Sequence, residues 1–301
     1  MRQVLPARAA MNTFEFLRLR FHFRALDAVQ FPAGKSANVI RGAFGLLLRD
    51  TAAPPAYARL FEPRANGGRS PSGLADRPRP FILRTAHLDG QIIPAGKEFD
   101  FDVHVFDVTR PGVEDFRAAF GALAERGIGA RRGRAVLTRV EQLDLAGGAQ
   151  AVTGQALRPC VILLDPDPKP VDRVRLQFVT PTELKAGGGV AENPEFAVLF
   201  GRLRDRLSTL RALYGKGPLE IDFRGMGERA SSVRLEGAAL QWEAVKRRSS
   251  RTGQVHSIGG FTGEAEYAGP LAEFLPWLRA ARWVGVGRQT VWGKGDVRVV
   301  A

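Results

Sequence analysis

The segment from Gly285 to Asp296, GVGRQTVWGKGD, has residue types and a spacing that suit the binding of phosphate. Glycine lets backbone N–H groups approach a phosphate closely because no Cβ intervenes, and Arg288 and Lys294 supply positive charge. Trp292 is a candidate to stack on a base, although a tryptophan is more often a core residue. A purely structural explanation, a tight glycine turn into the last strand, accounts for the glycines but leaves the two cations unexplained.

Spacing excludes the two common nucleotide motifs in this segment. A P-loop needs a glycine, four residues, and then Gly-Lys followed by Ser or Thr. Relative to Gly293 and Lys294, Arg288 replaces the first glycine and Gly295 replaces the hydroxyl residue. The dinucleotide pattern G-x-G-x-x-G fails at Thr290, and too little chain follows for a βαβ unit. We therefore expect the phosphate to belong to neither a mononucleotide nor a dinucleotide.

The composition favours a nucleic-acid partner. The 301 residues carry a formal net charge of +13, and 37 of the 44 basic residues are arginine. The planar arginine side chain pairs bidentately with phosphate and stacks on bases. A GC-rich genome would also raise the ratio of arginine to lysine, but it would not explain the net charge.

Cysteine content and hydropathy exclude several other classes. Cys160 is the only cysteine, which excludes an internal disulfide framework and a cysteine-based metal site. The His, Asp and Glu residues show no spacing typical of metal ligands, so we expect no metal and no cofactor. Apolar runs are shorter than the roughly 18 residues of a membrane span, and residues 1–10 lack the apolar core of a signal peptide. We therefore expect a soluble, cytoplasmic protein without a membrane partner.

The periodicity of the sequence predicts an α+β fold of two tandem ferredoxin-like, or RRM-like, domains, each with the order βαββαβ. For the first we predict strands near 17–24, 80–88, 99–108 and 134–140, helices near 40–48 and 113–125, and a long loop over 51–79. For the second we predict a strand near 173–178, a helix over 195–214, strands within 219–245 and 261–267, and a helix near 270. The domains we expect are a tail at 1–12, an N-terminal domain at 13–164, a linker at 165–172, and a C-terminal domain at 173–301 with a helical insertion near 193–215.

Two further patterns support this arrangement. The segments GIGARRGRAVL (127–137) and GVGRQTVWGKGDVRV (285–299) both run from a helix through Gly-x-Gly, basic residues and glycine into a strand, which indicates a duplication. In a ferredoxin-like sheet the first and third strands pair. The basic row of the first strand should therefore face the polar row of the third. The first row consists of Arg18, Arg20, His22 and Arg24, and the second of Asp100, Asp102 and His104. Charge pairing across the two strands would explain why both rows are polar, without any catalytic role.

Six segments form a combination: VIRGAFGLLLR (39–49), LFEP (60–63), PSGLADRPRPFILR (71–84), QWEAVKRRSSR (241–251), GGFTGEAEYAG (259–269) and FLPWLRAARWVGVGRQTVWGKG (274–295). Together they resemble a known family, the CRISPR-associated endoribonucleases of the RAMP superfamily that process precursor CRISPR RNA. The departures noted below suggest a divergent, type IV-like member. The resemblance implies two ferredoxin-like domains with a C-terminal glycine-rich loop. It also implies a CRISPR repeat RNA stem-loop as the partner, cleavage at or beside the stem without metal, retention of the mature crRNA, and association with other CRISPR effector subunits.

Cleavage of RNA without metal requires in-line attack by a 2′-OH on the adjacent phosphorus, groups that move two protons, and cations that stabilise the phosphorane. Histidine is the usual proton carrier, but the position of the histidine that relatives carry in the first helix is occupied here by Leu46. His256, between a cationic run and glycines, has the best surroundings of the four histidines, although an exposed loop histidine without a task is an equally simple explanation. His87, at a strand end, has no neighbouring pattern that indicates a catalytic role.

Arginines are the alternative catalytic groups, because some divergent relatives lack the histidine. Arg41 shares a helix face with Asn38, Gly42 and Gly45, where the small residues would let an RNA backbone approach or would let the helix pack closely. Arg24 and Arg251 are the other candidates. We predict catalytic roles for Arg41, Arg24, Arg251 and His256, and RNA-binding roles for Gly285, Gly287, Arg288, Trp292, Gly293, Lys294, Lys246, Arg247, Arg248, Arg131, Arg132, Arg134 and Lys35.

Two rival functions remain open, and Leu46 favours the first of them. The first is a non-catalytic crRNA-binding subunit of a CRISPR effector complex with the same fold, which would bind repeat RNA and leave it intact. The second is a basic RNA-binding protein unrelated to CRISPR, which would not prefer repeat RNA over another hairpin.

Overall fold

The computed structural model describes residues 12–63, 77–129, 131–154, 156–244, 246–248, 255–257 and 259–300. The α-helices in these ranges are α1 (Ser36–Thr51), α2 (Pro54–Phe61), α3 (Val113–Arg126), α4 (Phe196–Tyr214), α5 (Phe223–Ala230) and α6 (Leu275–Val284). The strands of the first half are β1 (Thr13–Ala25), β2 (Val29–Gln30), β3 (Phe81–Arg84), β4 (Ile92–Ile93), β5 (Glu98–Val105), β6 (Ala135–Leu143), β7 (Ala149–Ala151) and β8 (Cys160–Leu163). Those of the second half are β9 (Arg173–Thr182), β10 (Lys185–Ala186), β11 (Gly189–Val190), β12 (Arg234–Glu243), β13 (Lys246–Arg248), β14 (Val255–Ser257), β15 (Gly260–Ala268) and β16 (Val297–Val300).

The main strands form two antiparallel sheets with the same internal order. The first sheet runs β3-β5-β1-β6-β7, with β8 paired to the start of β1, and the second runs β12-β15-β9-β16. In each sheet the four strands of a βαββαβ unit stand in the order second, third, first, fourth, and helices connect the first strand to the second and the third to the fourth. The predicted pair of tandem ferredoxin-like domains is confirmed.

The alternation of residues in β1 determines which side of the first sheet is covered. Leu19, Phe21 and Phe23 are fully buried, and Phe21 lies 4.8 Å from Phe120 of α3, ring centre to ring centre. Phe44 of α1 lies 4.7 Å from the same Phe120 ring. Because alternate residues of a strand point to opposite faces, these aromatic residues pack under α1 and α3 while the arginines of β1 lie on the other face.

The expected charge pairing between β1 and β5 is confirmed. Arg18 and Arg20 both contact the buried Asp102, with N–O distances of 2.9 and 2.6 Å. Burial opposes ionisation of Asp102, but the hydrogen bond from Arg20 and the charge of Arg18 outweigh it, so the pKa of this carboxyl lies below its ordinary value. His22 pairs with Glu141 of β6 at 2.6 Å, so its partner is on the other neighbouring strand. These contacts give the basic row a structural role.

One predicted loop is partly wrong. We expected residues 51–79 to be a loop, but residues 54–61 form α2. The two prolines that suggested a loop occupy the first turn, where a missing N–H costs no hydrogen bond. Leu60 and Phe61 are buried, and this burial stabilises the short helix. Residues 64–76 of the predicted loop lie outside the described residues.

The two sheets are joined by an interface of aromatic and polar contacts. The ring of Phe16 lies 5.4 Å from that of Trp283, and His104 Nδ1–H donates to the Trp283 carbonyl at 2.8 Å. Burial, and after it the charge of Arg84, lowers the pKa of His104 to about 3. His104 is therefore a neutral hydrogen-bond donor that ties β5 to α6.

The domain boundaries predicted from the sequence, 13–164 and 173–301 with a linker at 165–172, stay a prediction. Strands of the first sheet lie between residues 13 and 163, those of the second between 173 and 300, and residues 165–172 between them form no helix or strand. The helix expected near 193–215 is α4, which stands where the βαββαβ order requires its first helix. In the described part of the chain, every helix is too short or too polar to span a bilayer.

Candidate functional site

The glycine loop, residues 285–296, connects α6 to β16 and is held by the protein's own backbone. A Cβ on Gly287 would lie 2.3 Å from the Glu183 carbonyl oxygen, and a Cβ on Gly295 would lie 2.0 Å from that of Val286. Both glycines also have positive φ, +79° and +72°, which other residues rarely adopt. Tight packing therefore explains these two glycines without any ligand.

Several N–H groups of the loop already have acceptors inside the protein. Val286 N–H donates to the Gly295 carbonyl at 2.9 Å, and Arg288 N–H donates to the Glu183 carbonyl at 3.0 Å. The Arg288 side chain also pairs with the buried carboxylate of Glu183. The structural interpretation of the loop is thus well supported, and the RNA contacts predicted for Gly285, Gly287 and Arg288 stay predictions.

The loop docks on the start of α1. A Cβ on Gly293 would lie 2.7 Å from the Cβ of Ala37, so this glycine permits the close approach of the two elements. Lys294 Nζ donates to the Gly34 carbonyl at 3.2 Å. The C-terminal glycine loop therefore contacts the N-terminal domain directly, through both backbone packing and a side-chain hydrogen bond.

Arg41 lies inside this contact and does not line an open surface. Its guanidinium carbon is 3.8 Å from the centre of the Trp292 ring and 4.4 Å from that of Phe61, and the residue is only 8% exposed. Gly45, one turn further on, would place a Cβ 2.1 Å from the Phe61 ring, whereas Gly42 has nothing within 4 Å. Close packing thus explains Gly45, and Arg41 connects α1 to the glycine loop.

A cleft of about 570 Å³ opens between the two domains beside this contact. From the N-terminal domain it is lined by Gly34, Ser36, Ala37, Arg84, Thr85, Ala86, His87 and Asp89. From the C-terminal domain it is lined by Val179, Thr180, Pro181, Glu243, Trp292, Gly293, Lys294, Asp296 and Arg298. Charged side chains stand on both walls of the cleft beside apolar ones, and residues 292–294 and 296 of the glycine loop form part of its lining.

The three carboxylates of the cleft already accept hydrogen bonds from the protein. Asp296 pairs with Arg298 at 2.9 Å, Asp89 accepts from the N–H of Ser36 at the start of α1, and Glu243 accepts from Thr262. Burial opposes ionisation of Asp296, but Arg84 and Arg298 hold its pKa below the ordinary value. These hydrogen bonds give the three acids a structural role.

Lys294 and Arg84 are the cations with the strongest desolvation in the cleft. Lys294 is 5% exposed, and burial lowers its pKa against the opposing charges of Asp89 and Glu243. Burial also lowers the pKa of Arg84, whose Nη2 donates to the Arg282 carbonyl at 2.6 Å. Its Nε and Nη1 have no hydrogen-bond partner among the described residues. An anion entering the cleft would compensate these buried charges.

His87 is the site residue that sequence reasoning missed. It lies in a 3-10 turn, Ala86–Leu88, directly after β3, and its Nε2 is 2.9 Å from the Asp100 carbonyl oxygen. Its side chain is 55% exposed. Only the pairing of β3 with β5, together with the docking of the C-terminal domain, brings this histidine into the cleft. No pattern within the sequence indicates that approach.

The other predicted residues are scattered. Lys35 is exposed at the N-cap of α1, on the rim of the cleft. Arg24 is exposed near the end of β1, outside the cleft, and Leu46 is 53% exposed, also outside it. The structure does not bring Arg24 together with Arg41.

The basic segments lie in two different places. Arg131, Arg132 and Arg134 follow α3, away from the cleft, and Arg134 pairs with Asp27 at 2.8 Å. Strands β13 and β14 form a hairpin in which Arg247 is opposite His256 and Lys246 and Arg248 are their neighbours. This hairpin follows Glu243, which lines the cleft. Arg251 lies outside the described residues.

Metal coordination receives no support from the side chains: within the described ranges, no group of three or more His, Cys, Asp and Glu residues is arranged to hold an ion. The fold and the cleft define a class of protein with two tandem ferredoxin-like domains and a glycine loop that closes on the first helix.

Family comparison identifies this class. A family model described as an N-terminal domain matches residues 14–160, and the model of the CRISPR-associated endoribonuclease Cas6 matches residues 176–297. No curated protein matches the sequence. Residues 176–297 are thus similar to the CRISPR-associated endoribonuclease Cas6 family, and the resemblance seen in the sequence is confirmed.

Solved structures share the fold over almost the whole chain. Thermus thermophilus Cas6 (TTHB231) is 18% identical with a TM-score of 0.56, covering 97% of this chain and 100% of that one. The Cas6 (TTHA0078) product complex is 19% identical with a TM-score of 0.55, covering 96% and 100%. The partial Cas6-RT-Cas1–Cas2 complex is 11% identical with a TM-score of 0.60, covering 96% of this chain and 47% of that one. At these identities the similarity establishes the fold alone.

Proposed function

We propose that this protein is a metal-independent endoribonuclease that cleaves precursor CRISPR RNA at or beside the repeat stem-loop. The observation that carries the proposal is the interdomain cleft of about 570 Å³, where the glycine loop, within the segment that matches the Cas6 family model, closes on α1 and presents Lys294. Retention of the mature crRNA and contact with other CRISPR effector subunits are part of the same proposal. We expect the protein to act in the cytoplasm, where the repeat RNA is transcribed.

The reaction requires four things of the cleft. The scissile nucleotide must be held with its 2′-OH in line with the P–O5′ bond. A group must accept the 2′-OH proton, the leaving 5′-oxygen must gain a proton, and cations must stabilise the charge on the phosphorane. The products are a 2′,3′-cyclic phosphate and a 5′-hydroxyl. Lys294 and Arg84 are the buried cations that support charge stabilisation in this cleft.

The basic hairpin supports recognition of RNA outside the cleft. It includes the sequence Lys246-Arg247-Arg248 and begins three residues after Glu243, so an RNA strand that leaves the cleft past Glu243 would run along this hairpin. Such contacts neutralise phosphates and release counterions, which makes the affinity depend on salt. Arg131 and Arg132, exposed in the N-terminal domain, would contact a different part of the RNA.

A second candidate function is favoured by one observation. Leu46 occupies the position where relatives carry a histidine on the first helix, and it is exposed outside the cleft. A protein that lost the histidine could still hold RNA with the same loop and hairpin. It would then be a non-catalytic crRNA-binding subunit of an effector complex.

Incubation with labelled repeat RNA from the protein's own CRISPR array, in EDTA, separates these functions. The control RNA carries a single 2′-deoxy nucleotide on the 5′ side of the mapped cut. We expect cleavage of the first RNA, a cyclic phosphate at its new end, and survival of the second. Tight binding without cleavage, in EDTA and in magnesium alike, would overturn the nuclease and support the RNA-holding subunit. Equal binding of an unrelated hairpin would contradict both.

A further inference from the structure

His87 is the only one of the three histidines with described side chains that lines the cleft and remains accessible. His22 is 8% exposed and paired with Glu141, and His104 is 3% exposed and bound to the Trp283 carbonyl. His87, by contrast, has a side chain that is 55% exposed and lines the same cleft as Lys294.

The hydrogen bond of His87 determines which ring nitrogen is free. A backbone carbonyl can only accept, so the contact of 2.9 Å between Nε2 and the Asp100 oxygen requires a proton on Nε2. In the neutral ring Nδ1 is then the nitrogen with a lone pair. The Asp100 carboxylate lies on the same side of the ring, with Oδ1 4.0 Å from Nε2. A carbonyl or carboxylate that orients an imidazole in this way is typical of a histidine general base.

The turn that carries His87 is held in place by hydrogen bonds, as expected for a side chain that must be positioned for catalysis. His87 stands in a short turn whose flanks are fixed, because Thr85 and Asp89 both hydrogen-bond to Ser36 at the start of α1. Ser36 is 1% exposed. The same helix start accepts the hydrogen bond from Lys294 through the Gly34 carbonyl. The start of α1 therefore holds both the turn that carries the histidine and the lysine of the glycine loop.

We propose that His87 is the general base of this nuclease and takes the place of the histidine that relatives carry on the first helix. The inference rests on the function proposed above. His87 Nδ1 accepts the proton of the attacking 2′-OH while O2′ bonds to phosphorus. The P–O5′ bond breaks, and the leaving oxygen takes a proton from solvent water. The resulting hydroxide removes the proton from the imidazolium, so the enzyme returns to its starting state. Lys294 stabilises the additional negative charge on the phosphorane.

The test compares His87→Ala, His87→Gln and wild type in single-turnover cleavage of repeat RNA in EDTA. We expect both variants to cleave at least about 100-fold more slowly, in keeping with the loss of a general base, while binding of the 2′-deoxy RNA stays within about threefold. Added imidazole should restore part of the activity of His87→Ala and none of that of His87→Gln, because only the former leaves a space. Such rescue would not occur if the histidine were merely structural.

The outcomes separate the two levels of the proposal. Cleavage by wild type with unchanged rates in both His87 variants, or loss of activity in a His256→Gln variant alone, would overturn the role of His87 and leave the nuclease intact. If the His87 variants lost binding of 2′-deoxy RNA together with cleavage, and imidazole did not restore activity, the general-base role would be overturned in favour of a structural or binding role. Absence of cleavage by wild type would overturn the nuclease itself.

Discussion

The guanidinium of Arg41 is stacked on the indole of Trp292, with 3.8 Å between the guanidinium carbon and the ring centre. Arg41 belongs to the first helix of the N-terminal domain, and Trp292 to the last loop of the C-terminal domain. Phe61 covers Arg41 from the other side. The contact therefore joins the two domains at the edge of the cleft. Its loss should lower the stability of the protein and the rate of cleavage.

Replacement of Arg41 separates a positioning role from direct contact with RNA. We expect Arg41→Ala to lower the free energy of unfolding by about 1–2 kcal/mol, because two cation–π contacts are lost, and to slow cleavage. Arg41→Lys keeps the charge but not the planar stack, so it should recover only part of both. Urea unfolding and single-turnover cleavage measure the two effects. An Arg41→Ala protein of unchanged stability that no longer cleaves would contradict this account and indicate contact with the RNA.

A pair of glycine substitutions tests the packing of the loop. Gly287→Ala should destabilise the protein by at least about 1–2 kcal/mol, since its φ is +79° and its Cβ would lie 2.3 Å from the Glu183 oxygen. Gly42→Ala is the matched control, because it lies within α1 with nothing within 4 Å. It should be neutral or stabilising by up to about 1 kcal/mol. Thermal unfolding compares them, and equal stabilities of the two variants would count against the packed loop.

Substitution of Lys294 distinguishes a role in the rate of cleavage from a role in RNA affinity. Lys294→Met keeps the length of the side chain and removes its charge, so we expect cleavage to slow by about 100-fold, as for other single groups that stabilise a charged transition state. RNA affinity should fall much less, because one cation contributes little to a large basic interface. Lys169→Met, at an exposed position in the segment between the sheets, is the control and should match wild type. Equal losses of affinity and rate in Lys294→Met would show that Lys294 only binds.

The buried His104 predicts how stability depends on pH. Its pKa is about 3 in the folded protein and 6.5 in the unfolded chain. Between these values the unfolded chain binds the extra proton, so stability must fall as the pH is lowered from 6.5 toward 3, by at most about 1.4 kcal/mol per pH unit from this group. His104→Asn, which places an amide N–H near the Trp283 carbonyl, should reduce this dependence. Urea unfolding at several pH values checks it, and parallel curves for the two proteins would refute the assignment.

The fold was predictable because its signals are local. The alternation in β1 and the helical stripe around Phe44 depend only on neighbouring residues, and the repeated Gly-x-Gly segments showed the duplication. Even the pairing of Arg18 and Arg20 with Asp102 followed from the known strand order of the fold. The helix α2 was missed because its prolines outweighed the burial of Phe61, which is a tertiary effect.

The site was less predictable because it arises between the domains. Arg41 was predicted from its helix face as a catalytic residue that RNA could approach, but its burial against Trp292 depends on how the two domains meet. His87 has no motif around it, and it enters the cleft only through the pairing of β3 with β5. Lys294 was identified from sequence as a cation near phosphate, whereas its burial, which lowers its pKa, required coordinates.

The most direct test of the central claim asks whether the scissile nucleotide lies in the interdomain cleft. Repeat RNA with a 2′-deoxy block at the mapped cut and a photoreactive 4-thiouridine beside it would be bound, irradiated and digested, and the cross-linked peptides identified by mass spectrometry. The account predicts cross-links to peptides that contain His87, Trp292 or Lys294. Cross-links confined to peptides outside the cleft, such as the one that contains Arg131 and Arg132, would contradict it.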